Sequence, residues 1–171
     1  KGEKNFCEES VVTKKELLRK YFGVLSFQEF NQTHSTNIFG IDALGNNECD
    51  GFLSSECKAA FAIKTADCIP LLLWDESKSV MSGLHCGWKG LKNDIISKAI
   101  EGNSSHPFTY AYIGPHISKD YFEVKDDFIE AFRESNKDIE PFLDNFDGKN
   151  YMNLREYTVN ELHQYGIEII N

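Results

Sequence analysis

The feature that most constrains this chain is a pair of apolar runs set either side of a short polar turn. Ile69-Pro70-Leu71-Leu72-Leu73-Trp74 is followed by Asp75 to Ser79 and then by a second run over 80–84. Runs of this length bounded by turn residues read as strands, and uninterrupted apolar sequence suits strands buried on both faces. Across so short a turn they predict an antiparallel hairpin. The expected fold is therefore α+β, a mixed sheet covered by helices, and not a doubly wound parallel sheet.

Helices around this hairpin are marked by caps and by 3.6-residue periodicity. Thr13 to Glu16 has the spacing of a capping box, and Leu17, Leu18, Tyr21 and Phe22 repeat at helical intervals until Gly23. A second helix is predicted over 92–100, with Ile95, Ile96, Ala99 and Ile100 on one side and Gly102 after it. A third, over 126–133, carries Phe128, Ala131 and Phe132. A fourth starts from the cap Asn153, with Glu156 three residues on, and its apolar side runs through Leu154, Tyr157, Leu162 and Tyr165 to Gly166. Further strands are predicted at 25–30, 59–64, 109–113 and 167–170, and Asn46, Asn47 and Gly51 mark a loop. There is no repeat, low-complexity stretch or linker, so residues 1–171 read as a single domain. The chain opens on Lys1 and stops just after an apolar run that needs a strand partner. Further N- and C-terminal segments are expected.

Composition narrows the function classes. Hydrophobic content of 41% places the chain among ordinary globular proteins. A net charge of -9, with basic residues scattered, argues against a nucleic-acid partner, whose affinity comes from clustered Lys and Arg. The densest basic group, Lys14, Lys15, Arg19 and Lys20, reads as a solvated helix face. No apolar run approaches the ~20 residues of a membrane span and no secretory leader is visible, so no membrane partner is expected and the cytoplasm is the default location. The 5 cysteines, Cys7, Cys49, Cys57, Cys68 and Cys86, are odd in number and form no C-x-x-C pair. Neither a disulfide framework nor a zinc knuckle is suggested.

His34, Cys68 and His85 stand where predicted strands end. Two imidazoles and a thiolate suit catalytic zinc, which keeps a fourth position open. The same groups also suit a metal-free nucleophile, with Cys68 activated by His85 and assisted by His34. Cys86 should face the other way and pack, and Asp67 reads as a turn residue with general acid as the lesser reading. Gly87-Trp88-Lys89-Gly90 opens a helix directly after His85. It suits close approach of an anion to exposed amides, and equally a tight strand-to-helix turn with Trp88 in the core. His116, at another strand exit, either lines a pocket or is simply exposed. His106 and His163 read as surface residues.

The segments "NQTHS", "CDGFLS", "KTADCIP", "LHCGWKG", "YIGPHI" with "YFEV", and "MNLREYTVNELHQYGIEII" resemble, in order, the laccase-domain family of purine nucleoside phosphorylases, long classed as multicopper polyphenol oxidases and as a peptidoglycan-editing factor. The resemblance implies a layered α/β/β/α fold with mixed sheets, similar to cytotoxic necrotizing factor-type cysteine hydrolases. It implies a zinc or copper site on His34, Cys68 and His85. The implied activity is phosphorolysis of adenosine, inosine, guanosine and methylthioadenosine, with some adenosine deamination, so the implied partners are a purine nucleoside and phosphate. Departures from the family pattern are Lys14-Lys15 in place of an Asn-Arg, Lys89 in place of an Arg, Ser35 in place of a glycine, and the absence of terminal extensions.

With 5 histidines in all, the chain is short of the ligands a blue-copper site plus a trinuclear cluster would need. One transition-metal site is expected, zinc or alternatively copper. Beside it Lys15, Gly87, Lys89, Gly90, His116 and Glu123 are the candidate anion- and substrate-binding residues, with Glu123 or Asp67 as proton carrier. The alternative function is a metal-free Cys-His hydrolase or amidase acting on a peptidoglycan precursor.

Overall fold

The computed structural model describes residues 9–42, 47–77 and 79–170; Cys7 and Asn46 lie outside them. In chain order the elements are α1 (Val11–Phe22), β1 (Ser26–Glu29), β2 (Ile38–Phe39), β3 (Gly51–Ser54), β4 (Ala59–Ala62), β5 (Ile69–Trp74), β6 (Met81–Cys86), α2 (Trp88–Lys92), α3 (Ile95–Gly102), β7 (Tyr110–Ile113), β8 (Glu123–Val124), α4 (Asp126–Glu134), β9 (Leu143–Phe146), β10 (Lys149–Met152), α5 (Leu154–Gln164) and β11 (Glu168–Ile169). A mixed 6-stranded sheet runs β11-β7-β5-β6-β3-β2, beside a parallel pair β1-β4 and a 3-stranded sheet β8-β10-β9.

The predicted hairpin is the centre of the main sheet: β5 pairs antiparallel with β6 on one side and with β7 on the other. Its turn is held by the Asp75 carboxylate, which accepts hydrogen bonds from the Ser77 and Ser79 hydroxyls and from the Val80 amide. Those bonds, Ser77's first, hold the Asp75 carboxyl well below the usual range.

The two faces of β5 differ, contrary to the expectation of burial on both. Ile69, Leu71 and Leu73 are fully buried, whereas Pro70, Leu72 and Trp74 are half-buried. The buried face meets Ile95, Ile96 and Ala99 of α3, Phe128 and Phe132 of α4, and Leu154, Tyr157 and Leu162 of α5 in one apolar cluster. Phe132 is fully buried there, and its truncation to Ala would cost about 3–5 kcal/mol. On the opposite face Phe61 of β4 stacks on Phe52 of β3 with centroids 4.3 Å apart, so the β1-β4 pair covers the β3 end of the sheet. Register puts His85 on this second face, since it pairs with Pro70 while Leu84 pairs with Leu71.

Several predicted boundaries move for local reasons. Helix α1 begins earlier, because the Ser10 hydroxyl, not Thr13, caps it by accepting from the Thr13 amide. Gly23 ends it at φ 68 as expected. The second helix is two: Asp94 sits at φ 65 between α2 and α3 and places its carboxylate 2.6 Å from Lys137 Nζ. Gly51 opens a strand and does not sit in the loop. The β9-β10 hairpin escapes the sequence reading although Asp147-Gly148 signals it, with both residues left-handed at φ 51 and 72. Among the described residues no helix is long and apolar enough to cross a membrane.

Candidate metal centre

β6 runs two residues further than predicted, to Cys86, so His85 lies within a strand and not beyond its end. That inclusion fixes the roles of two neighbours: Cys86 points into the core, fully buried with its thiol pushed up by burial, while His85 faces the other way. Cys68 immediately precedes β5, the strand hydrogen-bonded to β6. His34 arrives on the loop after β1, at φ 61, a backbone region that His adopts uncommonly.

Two side chains hold that loop in place. Gln32 binds the Lys64 backbone in both senses, its Nε2 donating to Lys64 O at 2.7 Å and its Oε1 accepting from Lys64 N at 2.8 Å. The loop carrying His34 is thereby tied to the segment that leads into Cys68. Asp50, buried at 0% exposure, takes the other side. Its Oδ1 accepts from the His34 amide at 3.0 Å and meets His85 Nδ1 at 2.8 Å. Its Oδ2 accepts from the amides of Thr33 at 3.1 Å and Ser35 at 2.7 Å, and from the Ser35 hydroxyl at 2.7 Å. Three successive amides closing on one carboxylate form a nest, which the left-handed His34 makes possible.

These bonds set the local electrostatics. Burial alone would raise the Asp50 carboxyl, but the hydrogen bonds from His85, Ser35 and Thr33 outweigh it and hold it at about 2. Burial likewise works against the His85 cation, yet the hydrogen bonds to Asp50 and Cys68 raise it to about 9 in the metal-free chain.

With Nδ1 committed to Asp50, His85 has Nε2 left to face its neighbours. The ligand atoms of His34, Cys68 and His85 lie within 4.8 Å of one another, and Cys68 Sγ is 3.8 Å from His34 Nε2. Two ligand atoms on one tetrahedral zinc sit about 3.6 Å apart, given bonds of roughly 2.3 Å to sulfur and 2.1 Å to nitrogen. The donor set fits a borderline-soft divalent ion, and it includes an exposed His34 and a half-buried Cys68 through which solvent or substrate can reach it. Gly87 makes the room: a Cβ there would stand 2.8 Å from His34 Cδ2 and 3.0 Å from Cys68 Sγ.

The remaining predicted site residues stand in different parts of the fold, and Lys15 and Glu123 are not among the groups gathered at this centre. Gly90 is buried, its α-carbon turned toward the Ser35 carbonyl. Trp88 packs on Phe128 at a centroid distance of 5.1 Å, while Lys89 is exposed with its ammonium over the Trp88 ring. The Ile117 amide donates to Asp67 O, which brings the loop carrying His116 against the residue before Cys68. His116 Nδ1 itself meets Gly114 O at 2.7 Å. This loop, with Tyr112, Lys119 and Arg155, lines an open hollow of about 460 Å³. Lys15 is exposed on α1; its neighbour Lys14 is buried and pairs with Glu29 at 2.6 Å. Glu123 lies on β8 in the small sheet, paired with Lys149 at 2.8 Å. Asp50 and Gln32 are site residues with no local sign of their role, although both stand inside motif segments, "CDGFLS" and "NQTHS".

Residues 7–171 match the family described as multi-copper polyphenol oxidoreductase laccase. The chain belongs to that family. This laccase-like chain is 31% identical over 131 residues to a purine nucleoside phosphorylase of Rickettsia conorii, an alignment covering 73% of the chain and 54% of that protein. It is 28% identical over 141 residues to a protein named adenosine deaminase from an unknown prokaryotic organism, covering 72% of the chain and 54% of the relative. Its fold is shared with a crystallised Neisseria meningitidis protein at a TM-score of 0.77 and 27% identity, over 95% of this chain and 69% of that one. The chain thus spans about half the length of the curated relatives it matches, at 54% for each of these two.

Proposed function

We propose that this laccase-like chain carries the centre of a metal-dependent purine nucleoside phosphorylase, with zinc or copper held by His34, Cys68 and His85. The observation that carries the reading is the convergence of these three donors, with Gly87 leaving the space they occupy. A bound ion supplies Lewis acidity toward an oxygen of phosphate or of the sugar. In phosphorolysis a phosphate oxygen bonds to C1′ of the ribose as the C1′–N9 bond breaks, and the departing purine takes up a proton. The hollow lined by the His116 loop, which the Ile117 amide ties to the Asp67 carbonyl, is the proposed place for the nucleoside. Asp67, exposed next to Cys68, is the better placed proton carrier, because Glu123 is engaged by Lys149. Lys15, Lys89, His116 and the amides around Gly87 and Gly90 are the anion-binding candidates. Adenosine, inosine, guanosine and methylthioadenosine are the proposed substrates. Deamination of adenosine, the activity named for one relative, is the proposed side reaction.

The test is elemental analysis of the purified chain, paired with a phosphate-dependent inosine-to-hypoxanthine assay before and after chelation. About one metal ion per chain and chelator-sensitive release of hypoxanthine are expected, with both lost in Cys68→Ser. Phosphorolysis that survives Cys68→Ser refutes the site.

A second reading is favoured by one arrangement: Asp50, His85 and Cys68 stand in the order orienter, base and nucleophile. On that reading the chain is a metal-free hydrolase or amidase acting on a peptidoglycan precursor, in a fold akin to cytotoxic necrotizing factor. Activity indifferent to chelators and abolished by a thiol reagent distinguishes it.

A further inference from the structure

Resting on the metal reading above, we propose that Asp50 is the positioning residue of the centre: it holds the proton of His85 on Nδ1 and so leaves Nε2 as the nitrogen that binds metal. Every group around the carboxylate donates to it or is able to. Oδ2 faces the Thr33 amide, the Ser35 amide and the Ser35 hydroxyl, and Oδ1 faces the His34 amide and His85 Nδ1. Backbone amides can only donate. The imidazole of His85 is the one ring in the set that can exchange donor for acceptor. An acceptor on both oxygens therefore forces a donor at Nδ1, and metal-bound histidines are commonly set in this way by a carboxylate behind them.

The same geometry fixes what Asp50→Asn would do. The new amide nitrogen must replace one of the two carboxylate oxygens. On the Oδ2 side it would meet two backbone amides and a hydroxyl; on the Oδ1 side it meets one backbone amide and a ring that can adapt. The substituted side chain therefore lodges with its nitrogen toward His85, whose Nδ1 becomes the acceptor and whose proton moves to Nε2. The replacement is close to isosteric, but the lone pair the metal needs is now occupied by a proton.

Long-range proton–nitrogen NMR spectra of the 171-residue chain, with uniformly labelled histidines, test this directly. In wild type we expect the Nδ1 proton of His85 in both the chelated and the zinc-loaded chain, with zinc on Nε2. In Asp50→Asn we expect the proton on Nε2 and zinc affinity, measured by competition with a chromophoric chelator, lowered about 10–100-fold. A carboxylate with only a structural part would change the melting temperature and leave the ring nitrogens as they are. An Asp50→Asn chain that keeps its proton on Nδ1, or that binds zinc like wild type, overturns the proposal. Should that variant not fold, the wild-type spectrum decides alone, because zinc on Nδ1 or an unprotonated Nδ1 refutes the proposal without any substitution. Wild type that binds no zinc but keeps the Nδ1 proton refutes the metal reading on which the proposal rests, and leaves standing only that Asp50 fixes the His85 proton on Nδ1.

Discussion

Replacing Gly87 by alanine isolates one contact on which the meeting of His34 and Cys68 depends. The backbone at Gly87 has φ -74 and ψ 159, which any residue adopts, so alanine adds no backbone strain and acts only through its Cβ. That carbon would stand 2.8 Å from His34 Cδ2 and 3.0 Å from Cys68 Sγ. Ordinary carbon–carbon contact begins at about 3.5 Å, so the ring must retreat by roughly 0.7 Å. A functional constellation tolerates displacements of only about 0.5 Å. His34 is exposed and can swing toward solvent, which keeps the folding cost near the lower end of overpacking, about 1 kcal/mol, or a melting point lowered by about 2–4 °C. Metal binding has no such escape, because the ligand leaves when the ring does. We expect zinc affinity to fall about 10–100-fold, equivalent to about 1.4–2.7 kcal/mol. Competition titration against a chromophoric chelator, beside a thermal melt of the chelated chain, separates the two effects. Zinc affinity within about twofold of wild type would refute the steric argument and return Gly87 to the anion-binding role read from its sequence context.

Two further outcomes follow from the hydrogen bonds around the centre. Gln32→Ala removes both bonds to the Lys64 backbone, at about 1–2 kcal/mol in total, and should raise hydrogen exchange at the Lys64 amide while weakening zinc binding; unchanged exchange there would show that Gln32 does not couple the two loops. In the chelated chain Asp50 is held at about 2 against an ordinary 3.8, a depressed carboxylate whose stabilisation is full above the ordinary value and lost as pH falls through the lower one. The unfolding free energy from urea titrations should therefore fall by about 2 kcal/mol between roughly pH 4 and pH 2 beyond what Asp50→Asn loses, and parallel curves for the two chains would contradict the assignment.

The parts of this fold legible in the sequence are those whose cause is local. The β5-β6 hairpin follows from two apolar runs and a turn, α1 stops at a left-handed glycine, and α5 starts from Asn153, whose side chain accepts from the Glu156 amide. Where the cause was not local, the boundaries slipped. Nothing between Leu91 and Ile95 announces that Asp94 will leave the helical conformation and reach Lys137, which lies beyond the whole of α4. The half-buried faces of β5 and β4 are likewise set by what else covers them, and an apolar run alone carries no record of its neighbours.

The same distinction governs the site. His34, Cys68 and His85 could be singled out because donors at strand ends are unusual by residue type. Asp50 could not, because an aspartate before a glycine has an adequate local explanation as a turn residue. Its role rests on partners 15 to 17 residues before it and 35 residues after it. Gly87 has a local signal, a glycine at a helix start that suggests an approaching anion, but its packing against a histidine ring and a thiol from distant parts of the chain has none. Both residues are defined by the space and polarity that other segments bring to them. Substitutions at Asp50 and Gly87 should accordingly disturb metal binding more than the fold, while those at Leu71 or Phe132, which face the helical core, should do the reverse.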